Sequence, residues 1–136
     1  MRFRLTRSVS FRAHHRLADP HASAEENRRR FGSTVEPHAH HYRCEVSVSR
    51  SIGDEEAAVM DLPLLDRIIA EEVTGPFEGR HLHRDVPAFA MVPPTCEAMA
   101  REVYRRVAPR LPANVRLDRV GIAEDDSLRA EIIADA

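Results

Sequence analysis

The chain has 136 residues, a length typical of one domain with one hydrophobic core. Its formal net charge is −2 at pH 7, which argues against the strongly basic surface of many nucleic-acid-binding proteins. Two cysteines are too few for a disulfide framework, and no apolar stretch has the length of a membrane span or the pattern of a signal peptide. We therefore expect a soluble, cytoplasmic protein with one domain over residues 1–136, and neither nucleic acid nor a membrane as a partner.

The first part of the chain predicts two strands separated by a long polar segment. Residues 2–12 alternate between polar and apolar side chains, and residues 38–50 alternate in the same way. Cys44 lies on the apolar side of the second strand, so we expect its thiol to be buried. Residues 13–37 between them predict a loop with a helical turn at 24–30. The two strands would pair as a long antiparallel hairpin.

Two helices are predicted in the middle of the chain. Asp61 has the position of an N-cap, and apolar residues follow it at helical spacing until Gly75-Pro76 ends the helix. Residues 76–93 then form a second long loop. The second helix opens after Thr95 and carries an apolar stripe on one side.

The last part of the chain predicts two further strands, at residues 114–122 and 127–134. The order strand, strand, helix, helix, strand, strand is typical of an α+β protein. We predict a four-stranded antiparallel sheet with the two helices on one face. Exposed sheet edges favour assembly between copies of the chain, so an oligomer is expected.

The main chemical signal is His38-Ala39-His40 at the start of the second strand. Side chains at i and i+2 of a strand project from the same face, so these two imidazoles are able to share one metal ion. His41 is a neighbouring alternative that the spacing does not separate from them.

His15, just beyond the end of the first predicted strand, is a third candidate ligand. We expect its participation to require residues 13–37 to fold back over the sheet, because the two strand ends need not meet in a long hairpin. His14 is an adjacent alternative. Three imidazoles with an open fourth position are typical of a catalytic zinc site.

Short motifs follow one another along nearly the whole chain. They are Phe11-Arg12-Ala13-His14-His15-Arg16-Leu17, Ser23-Ala24-Glu25-Glu26-Asn27 with Phe31-Gly32, His38-Ala39-His40-His41-Tyr42, Val59-Met60-Asp61-Leu62, Asp85-Val86-Pro87-Ala88-Phe89 and Pro94-Thr95-Cys96-Glu97. In sequence and order they resemble the motifs of the 6-pyruvoyltetrahydropterin synthase family, which includes the 6-carboxytetrahydropterin synthases of queuosine synthesis.

The resemblance implies a tunnelling fold that assembles into a barrel, as a homo-hexamer built from a dimer of trimers. It implies Zn²⁺ as the cofactor, held by His15, His38 and His40, and a pterin substrate, typically 7,8-dihydroneopterin triphosphate. It also implies that Glu124 anchors the pterin ring, whose edge presents paired N–H donors. Two further residues match positions near the pterin pocket, Thr95 and Glu97.

The chain differs from the family motifs at the positions of the residues that transfer protons. Thr34 stands at the position of the family's catalytic cysteine, and a threonine hydroxyl does not act unaided as a base. In the second loop, Glu78 and Gly79 replace an aspartate and a histidine. His81 follows two residues later.

Three residues are therefore candidates for the missing base, Glu36, Glu78 and His81. Cys96 is a weaker candidate for a relocated nucleophile, since a helix N-terminus would lower the pKa of its thiol.

Two hypotheses follow from this combination of features. In the first, the chain is a zinc-dependent lyase that acts on the side chain of a pterin with a substituted base. In the second, it binds zinc and a pterin and has lost the chemistry. The biopterin-like, queuosine and folate-linked branches all remain open.

Overall fold

The computed structural model describes residues 1–136 and contains one four-stranded antiparallel sheet with strand order β1-β2-β3-β4. The strands are β1 (Arg2–His15), β2 (His38–Ser51), β3 (Arg116–Ala123) and β4 (Arg129–Ile133). All four predicted strands are confirmed, as is the α+β class. Because each strand pairs with its neighbour in the sequence, the sheet is a meander interrupted by the helices between β2 and β3.

The hairpin of β1 and β2 is the longest paired segment of the protein. Its register runs without a break from Arg2 opposite Ser51 to His15 opposite His38. β1 is three residues longer at its end than predicted, because the alternation of buried and exposed side chains continues through Ala13 to His15. Both strand ends therefore lie side by side, as antiparallel geometry requires.

Five α-helical segments lie between the strands, one between β1 and β2 and four between β2 and β3. They are α1 (Ala24–Phe31), α2 (Leu62–Ile69), α3 (Gly75–Phe77), α4 (Leu82–Asp85) and α5 (Cys96–Val107). The predicted helical turn within residues 13–37 is confirmed as α1, which a 3₁₀ turn at Gly32–Val35 extends. The first long helix ends at Phe77, one residue beyond the predicted end at Gly75-Pro76. A π-helical turn at Ala70–Thr74 joins α2 to α3, and Gly75 keeps a helical φ of −57°.

Helices α2 and α5 cover one face of the sheet and close a single cluster of 26 buried apolar residues. The stripe predicted for α5 is buried, with Met99, Val103 and Val107 fully inaccessible. Complete burial of such a side chain stabilises the fold by about 1.5–3 kcal/mol. Cys44 is also fully buried, as predicted. None of the helices combines the length and the apolar character needed to cross a membrane.

The segment between α3 and α4 is fastened along the free edge of β1. The amide of Gly79 donates to the carbonyl of Arg12 at 2.7 Å, and the amide of His14 donates to the carbonyl of Arg80 at 2.8 Å. Phe77 is buried beside Phe11, with ring centroids 5.7 Å apart. These contacts hold the last residues of β1 in place, and His15 is the final residue of that strand.

Gly79 has a φ of +72°, a conformation that favours glycine. We expect Gly79→Ala to lower the free energy of unfolding by about 1 kcal/mol, because an L side chain is strained in this region. Gly53→Ala is the matched control, since Gly53 also has open space around its Cα but no positive φ. Urea unfolding of both variants measures the difference, and equal stability of the two would contradict the strain.

Candidate metal centre

Three imidazoles converge on one face of the sheet where β1 ends and β2 begins. His15 and His38 are directly opposite each other in the register, and His40 lies two residues further along the same face of β2. Their ring centroids are 4.5–4.9 Å apart. The expectation that residues 13–37 must fold back for His15 to participate is therefore wrong, because in an antiparallel hairpin the two strand ends are neighbours.

Backbone carbonyls determine which ring nitrogens of His15 and His38 face each other. Nδ1 of His15 lies 2.9 Å from the carbonyl oxygen of Pro94, and Nδ1 of His38 lies 2.8 Å from that of Glu36. A carbonyl only accepts hydrogen bonds, so each Nδ1 carries a proton. In the neutral rings both Nε2 atoms are then bare, and they lie 2.9 Å apart.

Two facing lone pairs at this distance repel each other unless a proton or a metal ion lies between them. A hydrogen bond between the Nε2 atoms would require one ring to take up a second proton. His15 is only 1% exposed, and burial lowers the pKa of its imidazole to about 4, so this ring is neutral at pH 7. A divalent metal ion satisfies both lone pairs without a proton, and the Nδ1–H contacts to carbonyls are typical of metal-binding histidines.

Glu124, just after β3, brings a carboxylate to the same point. Its Oε2 lies 2.6 Å from Nε2 of His40 and 3.9 Å from Nε2 of His15. The donor atoms of the three histidines and Glu124 all lie within 4.8 Å of one another. Donors bound to one tetrahedral zinc at 2.0–2.1 Å would be about 3.3 Å apart, so the residues fit such an ion.

An open cleft of about 420 Å³ leads to this group of side chains. Its lining includes His38, His40 and Glu124 together with Thr34 and Glu36. A small molecule that enters the cleft would therefore meet the imidazoles and the segment that precedes β2 at the same time.

The sequence matches a family model described as 6-pyruvoyl tetrahydropterin synthase over residues 4–134. The chain belongs to this family. A 6-pyruvoyl tetrahydrobiopterin synthase of Poecilia reticulata is 37% identical over 113 residues, which cover 82% of this chain and 77% of that protein. The human 6-pyruvoyl tetrahydrobiopterin synthase is 34% identical over 125 residues, with 90% and 86% covered.

A solved structure supports the same fold. The 6-pyruvoyl tetrahydropterin synthase of Caenorhabditis elegans superposes with a TM-score of 0.91 over 99% of this chain and 97% of that one, at 24% identity. The four-stranded antiparallel sheet with its helices is thus the fold of this family.

The structure separates the three residues predicted as candidate bases. Glu36 lines the cleft and pairs with Arg28 at 3.1 Å. Glu78 accepts a hydrogen bond from the backbone amide of Arg12 at 2.8 Å, and His81 stacks on His14 with centroids 4.6 Å apart. Since successive side chains of a strand point to opposite faces, His14 and His81 lie away from His15. Within one chain, only Glu36 of the three lines the cleft.

The residues at the start of α5 differ in their contacts. Thr95 caps the helix, because its hydroxyl accepts a hydrogen bond from the amide of Ala98 at 3.1 Å, and Glu97 is exposed in the first turn. Burial and Glu124 raise the pKa of the Cys96 thiol to about 12. The expectation that the helix N-terminus lowers this pKa is therefore wrong, and the thiolate needed of a nucleophile is disfavoured.

Sequence reasoning missed how the imidazoles are oriented and how close Glu124 comes to them. The carbonyls of Pro94 and Glu36 carry no side-chain signal.

Sequence reasoning also missed Tyr42. The hydroxyl of Tyr42 is buried among the rings without a hydrogen-bond partner, and its position on the same face of β2 as His40 is the one signal that could have found it. Burial raises the pKa of Tyr42, so it stays a phenol that is able to donate to a bound oxygen.

His40 and His41 provide a matched pair of adjacent histidines. We expect His40→Ala to weaken zinc binding by roughly a hundredfold or more, since loss of even an outer partner of a metal site costs 10–100-fold. His41→Ala should retain the affinity of the unaltered protein, because His41 is exposed and contacts Arg12 instead. Chelator competition measures both affinities, and an equal loss in both variants would contradict this assignment.

Proposed function

We propose that this protein is a zinc-dependent lyase that acts on the side chain of 7,8-dihydroneopterin triphosphate or a related pterin. The observation that carries the proposal is the pair of bare Nε2 atoms of His15 and His38, 2.9 Å apart, with His40 beside them. The names of the related synthases support a pterin as the substrate. Zinc bound there would polarise a substrate hydroxyl and lower its pKa.

Residues of this chain supply the other parts of the proposed reaction. Glu36 reaches the cleft from the segment before β2, and we propose that its carboxylate accepts the proton from the carbon next to the polarised hydroxyl. Glu124 would hold the N–H edge of the pterin ring, as the family resemblance implies. Thr95 and Glu97 would border the ring at the start of α5.

We also propose a homo-hexamer in which sheets of neighbouring chains continue into a barrel. Exposed apolar side chains at the two outer strands support it, with Phe3 45% and Ile133 64% exposed. Glu78 and His81 lie at the edge of β1 and do not line the cleft of their own chain. In the proposed hexamer they would reach the cleft of a neighbouring chain.

A second candidate function is a zinc- and pterin-binding protein without catalysis. The specific observation in its favour is the loss of both proton-transfer residues, with Thr34 and Gly79 in their places. Thr34 lies in the cleft, but its hydroxyl is engaged with the carbonyl of Phe31 at 2.5 Å.

Incubation of the zinc-loaded protein with 7,8-dihydroneopterin triphosphate distinguishes the two candidates. We expect release of triphosphate or of a side-chain fragment, and at least a roughly hundredfold loss in His38→Ala, because the polarised hydroxyl loses its metal. Product analysis by mass spectrometry identifies the bond that breaks. Tight pterin binding without turnover would reject the lyase and support the binding protein.

The position of Thr34 tests whether the base alone limits the standard synthase reaction. We expect Thr34→Cys to raise synthase turnover on the order of a hundredfold, the usual contribution of a well-placed base. Thr34→Ser is the control, since it keeps a hydroxyl and should leave the rate near its starting value. Steady-state kinetics gives the comparison. No increase in the cysteine variant would mean that the loop around Gly79 is also needed.

A further inference from the structure

A second cleft adjoins the one that leads to the imidazoles. Its volume is about 300 Å³, at the lower end of the range of small-molecule sites in proteins. Arg16 and Arg28 line it together with Glu36 and Pro37, and we call it the arginine cleft. Glu36 and Pro37 also line the cleft at the imidazoles, so the two clefts share these residues as their border.

Two guanidinium groups give the arginine cleft a positive charge. Arg16 follows the last residue of β1, Arg28 lies on α1, and Glu36 is the one acidic residue that lines the cleft with them. The chain as a whole has a formal charge of −2, so the sign of the charge is reversed here. A planar guanidinium binds phosphate through two parallel N–H donors. The arginine cleft therefore has the chemistry of a phosphate site.

The arginines of this region differ in how firmly acidic side chains hold them. Arg29 pairs with Glu26 on the same helix. Arg16 is exposed and makes no ion pair. Arg28 pairs with Glu36 at 3.1 Å, but these side chains are 65% and 68% exposed, and ion pairs of such exposure contribute little. Both arginines of the cleft are thus available to a ligand that carries more negative charge than one carboxylate.

We propose that the arginine cleft binds the phosphate chain of the pterin substrate. The inference rests on the proposed function, in which the hydroxyls of the substrate lie between its ring and its triphosphate. Residues suited to these three groups follow one another in the same order. Glu124 lies in the first cleft with the imidazoles, whereas the two arginines lie beyond Glu36. Phosphates held there would fix the direction in which the side chain crosses the imidazoles.

A phosphate in the arginine cleft would compete with Glu36 for Arg28. The guanidinium donates to Oε1 of Glu36 in the structure, and the same N–H groups are the ones that a phosphate needs. Substrate binding would therefore separate the two side chains. The carboxylate released in this way is the one proposed above as the base, and it lies on the border between the two clefts.

Removal of each arginine from the zinc-loaded protein tests the site. We expect Arg16→Ala and Arg28→Ala each to bind neopterin triphosphate, a fluorescent oxidised analogue, roughly tenfold more weakly, because a charge-assisted contact is lost. Neopterin without phosphates should keep its affinity within about twofold. Arg29→Ala removes the same charge from the next residue of α1 and should alter neither affinity by more than about twofold, because solvent screens it. Fluorescence titration measures all of these affinities.

The two ligands also separate phosphate binding from a structural role of the arginines. An equal loss of affinity for neopterin and for its triphosphate would mean that the arginines support the fold, and it would overturn the site. Unchanged affinity for the triphosphate in both variants would overturn it as well. Because Arg16 follows His15, chelator competition is used to establish that the zinc affinity of each variant stays within about twofold.

Glu36→Gln tests the competition for Arg28 with the opposite sign. We expect this variant to bind neopterin triphosphate about threefold more tightly, because the neutral amide no longer holds the guanidinium by its charge. Neopterin should bind it with unchanged affinity. Equal or weaker binding of the triphosphate would overturn the competition.

Inorganic triphosphate distinguishes failure of the site from failure of the proposed function. We expect it to bind the zinc-loaded protein, roughly tenfold more weakly in Arg16→Ala and Arg28→Ala and equally well in Arg29→Ala. Any contact between the probe and zinc is common to all variants, so it does not produce this difference. If the difference is found while neither neopterin nor its triphosphate binds, the phosphate site stands and the pterin function fails. Equal binding by all variants would overturn the site.

Discussion

Unbroken antiparallel pairing of β1 with β2 is the constraint on which the candidate metal centre depends. The register places His15 directly opposite His38 at the open end of the hairpin. Side chains alternate between the faces of a strand, so a slip of one residue would turn His15 to the other face and bring His14 in its place. The burial of Phe11 and Ala13 on the same face as His15 opposes that slip, because both would become exposed.

The parts of the fold that sequence could predict are those in which local pattern and tertiary packing agree. Alternation located all four strands, and the apolar stripe together with Thr95 located α5. The helix that starts at Leu62 was also predicted, and it ends at Phe77, one residue beyond Gly75-Pro76. The π-helical turn at Ala70–Thr74 was not predicted, and the residues on and after it that are buried are Val73 and Phe77. Their apolar side chains carry no local signal that separates a π-helical turn from an α-helical one.

The candidate site was predicted in its residue types and incompletely in its geometry. The spacing of His38 and His40 and the family resemblance of His15 identified the imidazoles. No pattern in the sequence shows that the carbonyl of Pro94 orients His15, because a backbone carbonyl has no residue preference and its position depends on where α5 begins. The approach of Glu124 depends in the same way on the pairing of β3 with β2, which places Ala123 opposite Arg43 and Glu124 one residue beyond it.

The imidazoles of the candidate site and its candidate bases stand on different kinds of backbone. Substitutions among the candidate bases therefore disturb the imidazoles little. The imidazoles stand on paired strands and are oriented by carbonyls, so their geometry depends on the core of the fold. The residues that could move protons stand on connecting segments: Glu36 before β2, and Glu78 and His81 along the edge of β1. Gly79, where the family resemblance implies a histidine, has a φ of +72° and lies on such a segment, outside the paired strands. A site of this construction is therefore able to keep its imidazoles in place while residues on the connecting segments are replaced.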